Sequence, residues 1–148
     1  MILFINGSPN RDGNTARLAR ELIGERPYEQ IDLAEHKVYG YGQSYNDDDF
    51  EAVLSRIKEA DTLVVGSPVY WHNLSGMLRN LLDRFYGPVR EGGMSGKKLY
   101  FVFQGGAPTR EMLDWGEYTM KRFAALYGMA YGGMVNDDSE ARALSKAL

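Results

Sequence analysis

Met1-Ile2-Leu3-Phe4-Ile5-Asn6-Gly7-Ser8-Pro9-Asn10-Arg11-Asp12-Gly13-Asn14-Thr15 opens a stretch that changes character twice in succession. Ile2 to Ile5 is a short unbroken apolar run, the pattern of a strand covered on both faces. Gly7 to Thr15 is a turn of small and hydroxylated residues. Thr15, Leu18, Ala19, Leu22 and Ile23 then recur at helical spacing, until Gly24 and Pro27 stop the helix.

The alternation continues along the chain. Tyr28 to Leu33 alternates weakly and reads as a second strand. Asp47, Asp48 and Asp49 suit a helix start, where carboxylates meet free N–H groups and the positive dipole end. Phe50, Val53, Leu54 and Ile57 are that helix's apolar stripe. Thr62 to Ser67 is the clearest strand, and Leu74, Met77, Leu78, Leu81, Leu82 and Phe85 mark the next amphipathic helix. Leu99 to Phe103 reads as a strand, Met120, Phe123, Ala124 and Tyr127 as a helix, Ala130 to Val135 as a fifth strand and Ser139 to Leu148 as a last short helix. The order predicts an α/β fold, a three-layer sandwich around a parallel sheet, as one domain over residues 1–148. Ligands of such sheets sit beyond the carboxyl ends of the strands, where strand order reverses. The loops after the first, third and fourth strands are therefore the ones that matter. Two other segments stand apart. Leu33 to Asn46 is long for a connection and carries three tyrosines, which points to function. Gly87 to Gly96 is glycine-rich and reads as mobile.

Composition narrows the chemistry. With 44% hydrophobic and 25% charged residues among 148, the chain is an ordinary globular sequence long enough to bury a core. A net charge of -3 argues against nucleic-acid binding by phosphate neutralisation and leaves no polybasic membrane patch. There is no cysteine, which excludes disulfides, thiolate catalysis and cysteine-held clusters within these residues. His36 and His72 are the only histidines, so no metal site is expected. No apolar stretch approaches the ~20 residues that span a bilayer. The amino-terminal run lacks a positive leader and reads as a strand, so the expected location is the cytoplasm.

The first loop has the properties of an anion site. Free N–H groups and the dipole at a helix start favour a phosphate, to which Ser8, Asn14 and Thr15 can add hydrogen bonds and Arg11 charge. It is not a nucleoside-triphosphate P-loop: five residues separate its glycines, and Asn14 stands where lysine is needed. The dinucleotide pattern G-x-G-x-x-G is absent too. The alternative is a plain turn with Asn14 or Thr15 as helix cap. In the third loop, Ser67-Pro68-Val69-Tyr70-Trp71-His72-Asn73-Leu74-Ser75-Gly76, aromatic residues crowd an exposed position and offer flat surfaces to a planar heterocycle. Here the alternatives are Asn73 or Ser75 as a helix cap and Trp71 packed on a neighbouring subunit.

Together the two loops, followed by Leu82-Asp83-Arg84, resemble the motifs of the NADPH-dependent FMN reductase / NAD(P)H:quinone oxidoreductase family. The resemblance runs through the whole chain in element order. It implies a flavodoxin-like fold, a five-stranded parallel sheet in the order 2-1-3-4-5, with FMN as cofactor. By this resemblance Ser8, Asn10, Asn14 and Thr15, with Arg11, hold the FMN phosphate. Pro68, Val69, Tyr70, Trp71 and Asn73 line the isoalloxazine ring, and Gln104, Gly105 and Gly106 approach it from the other side. The activity implied is hydride transfer from NAD(P)H via FMN to a quinone, nitro compound, free flavin or similar acceptor, with ping-pong kinetics and no catalytic acid. Arg90 and Arg110 are the candidates to meet a 2′-phosphate. A homodimer is expected, with Tyr39, Tyr41, Tyr45 and Trp71 available to a partner chain. The sequence departs from the family pattern at Asn10 (usually arginine), at Arg79 (usually lysine) and in lacking cysteines after the second strand. The alternative function is a flavodoxin-type electron carrier, though those are usually strongly acidic. A receiver domain is disfavoured because Ser67-Pro68 stands where a phosphorylatable Asp is needed.

Overall fold

The computed structural model describes residues 1–148. Its elements are β1 (Ile2–Asn6), α1 (Asn14–Ile23), β2 (Tyr28–Asp32), a 3₁₀ turn (Leu33–Glu35), α2 (Phe50–Glu59), β3 (Thr62–Pro68), α3 (Gly76–Asp83), β4 (Lys98–Gln104), α4 (Arg110–Tyr127), β5 (Ala130–Val135) and α5 (Asp138–Ser145). All neighbouring strands pair in parallel, in the order β2-β1-β3-β4-β5. This is the flavodoxin-like order expected from the motifs. Strand order reverses direction between β1 and β3, so their carboxyl ends open the crevice where such sheets bind ligands.

Alternation along the strands divides the core into two layers. Phe4, Val64, Tyr100 and Val102 point to one face and pack on Ala16, Leu18, Ala19, Leu22 and Ile23 of α1 and on Ala141 of α5. Leu3, Ile5, Leu63, Val65, Phe101 and Phe103 point to the other face, against α2, α3 and α4. Each large side chain buried this way contributes about 1.5–3 kcal/mol.

Several sequence expectations need correction. Gly87 to Gly96 is not free. Val89 and Met94 are buried, and the N–H groups of Gly92 and Met94 donate to the carbonyls of Leu126 and Tyr127, each at 2.9 Å. Gly128, in the left-handed region at φ 80°, lets this segment pass close by: a Cβ there would stand 3.1 Å from Gly92 Cα. The segment precedes β4, at the amino end of the sheet. Arg90 is thereby removed from the ligand end and from any role toward a 2′-phosphate there. The last helix starts one residue earlier than Ser139, and Asp137 caps it by accepting the Glu140 N–H at 2.8 Å. Helix α4 is also longer than its apolar spacing showed. Gly116 sits in its middle because a Cβ there would lie 2.2 Å from the Phe103 ring, and its absence brings the helix onto the sheet.

Candidate functional site

The first loop is shaped by close approaches. The Gly7 N–H donates to the Gly66 carbonyl at 2.7 Å, and a Cβ on Gly7 would stand 2.8 Å from that oxygen. Gly66 is equally confined, with a Cβ there falling 2.7 Å from Thr15 Cγ2. These two contacts press the loop and the start of α1 against β3. Beneath the loop lies Asn6, fully buried at the end of β1. Its Oδ1 accepts the Ser8 N–H at 3.1 Å, and its Nδ2 donates to the Asn10 carbonyl at 3.2 Å and to Asp32 Oδ1 at 2.9 Å. Ser8 Oγ accepts the Asn10 N–H at 3.1 Å and sharpens the turn.

Helix α1 begins without a side-chain cap. Its cap residue is Gly13, so neither Asn14 nor Thr15 serves as the cap. Thr15 is buried inside the helix, and its Oγ1 accepts from Gln104 Nε2 at 3.0 Å. Asp48, Ser75, Thr109 and Asp137 each supply an oxygen to the first turn of the other four helices. The first turn of α1 receives none, which leaves its leading N–H groups facing the loop. Arg11 does not add free charge there: its Nη1 lies 3.3 Å from the buried Asp32 carboxylate and 3.3 Å from Glu35.

The third loop carries the backbone strain of the molecule. Tyr70 and Asn73 exchange N–H and carbonyl in both directions, at 2.9 and 3.0 Å. Trp71 and His72 between them take φ of 47° and 67°, the only non-glycine residues in the left-handed region. Positive φ at both central positions is a type I′ turn, which favours Asn-Gly and is costly for tryptophan. Trp71 is 96% exposed at the tip. Asn73 caps forward, its Oδ1 accepting the Leu74 N–H at 2.9 Å, while Ser75 is the cap of α3.

The three loops form one surface. Ser67 Oγ accepts the Ser75 N–H at 2.9 Å, and Ser75 Oγ donates to the Gly7 carbonyl at 2.7 Å. The Val69 N–H donates to the Gln104 carbonyl at 2.7 Å, and Gln104 reaches Thr15. Between the third and fourth loops lies a cleft of about 180 Å³ walled by Val69, Trp71, His72, Pro108 and Met112 and floored by Gly105 and Gly106. Nothing stands within 4 Å of where a Gly106 Cβ would be, so the space over it is open. A more polar cleft of about 250 Å³ lies across Gly105, between Asn14, Arg17 and the Asn136–Asp138 turn. Ser8, Asn10, Val69, Tyr70, Trp71, Asn73, Gly105 and Gly106 therefore lie on the loops at one end of the sheet, with Asn14 and Thr15 in the first turn of α1 and Pro68 and Gln104 at the ends of β3 and β4 beside them. Arg110, the first residue of α4, is also at this end, held charged by Asp114 Oδ1 at 2.8 Å. Sequence reasoning missed Asn6 and Asp32; their signal was a polar residue closing each of two adjacent strands.

Fold and site together define a flavodoxin-like sheet with an uncapped helix start beside an aromatic-walled cleft. The chain belongs to the NADPH-dependent FMN reductase family, whose model matches residues 1–132. An iron-sulfur flavoprotein of Methanocaldococcus jannaschii is 33% identical over 97 residues, covering 56% of this chain and 50% of that protein. An NADPH azoreductase of a Bacillus species is 33% identical over 85 residues, 55% of this chain and 48% of that protein. This chain thus spans about half the length of these relatives. The solved structure of Trp repressor binding protein from Bacillus subtilis shares the fold, with a TM-score of 0.81 at 24% identity over 100% of this chain and 98% of the other. No helix is long and apolar enough to cross a membrane.

Proposed function

We propose that this chain is a single FMN-binding domain acting as an NAD(P)H oxidoreductase toward a quinone, nitro compound, free flavin or similar small acceptor. The observation that carries the reading is the uncapped first turn of α1 at the strand-order reversal, in a chain of this family. Its free N–H groups, with Ser8, Asn10, Asn14 and Thr15 around them, suit a phosphate monoester. Pro68 to Asn73 and Gln104 to Gly106 suit a flat ring, because Gly106 leaves open space and Tyr70 and Trp71 supply aromatic surface. FMN, when bound there, supplies the redox chemistry between NAD(P)H and the acceptor. The protein's own part is to orient: the Ser75–Gly7 and Gln104–Thr15 bonds keep the phosphate loop and the ring loops in fixed relation. No side chain in the cleft is needed as an acid. The chain has no cysteine, so within these residues it holds no cysteine-ligated cluster.

The same reading includes a cytoplasmic location, where reduced nicotinamides are generated, and a homodimer. A groove of about 320 Å³ lies away from the loops between α3 and α4. Leu82, Tyr86, Tyr118 and Leu126 line it together with Arg79, Asp83 and Arg122, a mixture of apolar surface and opposite charges that a two-fold contact can pair with itself. Light scattering tests this: a dimer mass is expected, reduced to the monomer by Leu126→Asp.

The test of function is an absorbance spectrum after adding FMN and desalting. Retained bands near ~370 and ~450 nm are expected of a bound flavin. NAD(P)H oxidation by the loaded protein should then give parallel double-reciprocal lines. Intersecting lines would refute ping-pong turnover. Retained flavin with only slow NAD(P)H oxidation would instead favour the electron-carrier reading.

A further inference from the structure

Asn6 bonds to Ser8, Asn10 and Arg11 of the loop without being part of it. Its amide orientation is fixed by Asp32: a carboxylate only accepts, so the amide end 2.9 Å from Asp32 Oδ1 must be the NH₂. That leaves Oδ1 to take the Ser8 N–H and turns Nδ2 toward the carbonyls of Asn10 at 3.2 Å and Arg11 at 3.5 Å. Gln30 Nε2 also reaches the Arg11 carbonyl, at 3.4 Å, and Asp32 Oδ1 at 2.7 Å. Two successive carbonyls therefore point inward.

In a trans peptide the N–H points opposite to the carbonyl it follows. With the Asn10 and Arg11 carbonyls turned to Asn6, the N–H groups of Arg11 and Asp12 are turned outward, toward the loop mouth. Successive N–H groups on one side of a turn form a concave anion cradle. Were the carbonyls to turn outward, their negative ends would face the anion instead.

We propose that Asn6 is a positioning residue that sets the polarity of this loop, so that Arg11 and Asp12 present N–H rather than carbonyl groups to the ligand's phosphate. The proposal rests on the FMN reading above and adds to it the group that orients the cradle. It requires Asn6 to matter for the phosphate and not for the flavin ring.

The test compares FMN with riboflavin, which lacks the phosphate, by flavin fluorescence titration of the purified protein. In the wild type, FMN should bind more tightly. The double variant Asn6→Asp/Asp32→Asn exchanges the two groups, so that the carboxylate at position 6 accepts from the amide at position 32. The bond between the two positions is thus kept, and Gln30, half-buried beside them, matches the change by turning its own amide over. Only the backbone N–H of Gly13, at 3.4 Å, then remains to donate to the Asn10 carbonyl. The swap takes the carboxylate from Arg11, whose Nη1 lies 3.3 Å from Asp32, so the Tm should fall modestly, while the riboflavin Kd should not move. The FMN preference should fall about tenfold or more, the order expected when hydrogen bonds to a charged phosphate are lost. Asn6→Ala, read the same way, serves if the double variant does not fold. A folded variant with an unchanged FMN-to-riboflavin ratio overturns the proposal, as does an equal loss for both flavins. A wild type that binds neither flavin overturns the FMN reading itself, a result visible before any variant is made.

Discussion

Ser75 Oγ donates to the Gly7 carbonyl at 2.7 Å across 68 residues of sequence, while the same oxygen accepts the Leu78 N–H at 3.3 Å. One hydroxyl thus caps α3 and joins the first loop to the third. Ser75→Ala removes both bonds and leaves two backbone groups unmatched. It should cost about 1–2 kcal/mol of stability by urea denaturation, with Ser75→Thr recovering part of it. An alanine variant as stable as the wild type would show that the tie contributes nothing.

Trp71 is held in the left-handed region at φ 47° with its side chain exposed. Trp71→Gly relieves that strain and should raise stability by about 0.5–1 kcal/mol. The same change removes a ring-facing surface and should weaken FMN binding several-fold. Higher stability with unchanged FMN affinity would exclude Trp71 from the flavin site.

At Gly116 two effects of alanine oppose each other. Alanine in a helix interior is favoured by ~1 kcal/mol over glycine. The added Cβ would stand 2.2 Å from Phe103 Cε2, and forcing atoms into a packed core costs about 1–3 kcal/mol. The contact should win, so Gly116→Ala lowers the thermal midpoint, and Phe103→Leu in the same chain restores part of the loss.

Arg11 pairs with Asp32, which is 4% exposed, and Glu35 at the surface. Removing the guanidinium leaves a buried carboxylate uncompensated. Because Arg11 itself is largely exposed, the loss is discounted to roughly 1 kcal/mol. Arg11→Ala should be destabilising in the wild-type chain and nearly neutral beside Asp32→Asn. Equal losses in both backgrounds would mean that the pair is uncoupled.

The Tyr131 hydroxyl, partly buried and 3.1 Å from Glu117 Oε1, has its pKa raised far above the usual phenol range, first by burial and then by the carboxylate. The unfolded chain loses this proton near pH ~10 while the folded chain keeps it, so stability is full below that pH and falls as pH rises beyond it. Urea midpoints across that range should decline less steeply in Tyr131→Phe. Identical slopes would show that Tyr131 does not contribute.

Much of the fold was legible because it follows from local pattern. Ile2 to Ile5, Thr62 to Ser67 and Leu99 to Phe103 are largely unbroken apolar runs, the mark of a doubly covered parallel strand. The loops at the carboxyl end of the sheet were legible as well, since small, hydroxylated and aromatic residues follow those strands directly. Helix α4 was only half visible, because Trp115, Gly116 and Tyr118 break the apolar spacing at its start.

What one chain segment dictates about its own backbone, its sequence determined: the strands, most helix limits, the order of elements and the loops that follow the strands. The tertiary structure alone decided the partners. That Thr15 meets Gln104, that Ser75 meets Gly7, that Arg11 is drawn to Asp32 and that Asn6 orients a loop all depend on side chains brought together by strand register. Hydrogen bonds between residues far apart in the chain leave no periodic mark in it, because their geometry exists only once the sheet has formed.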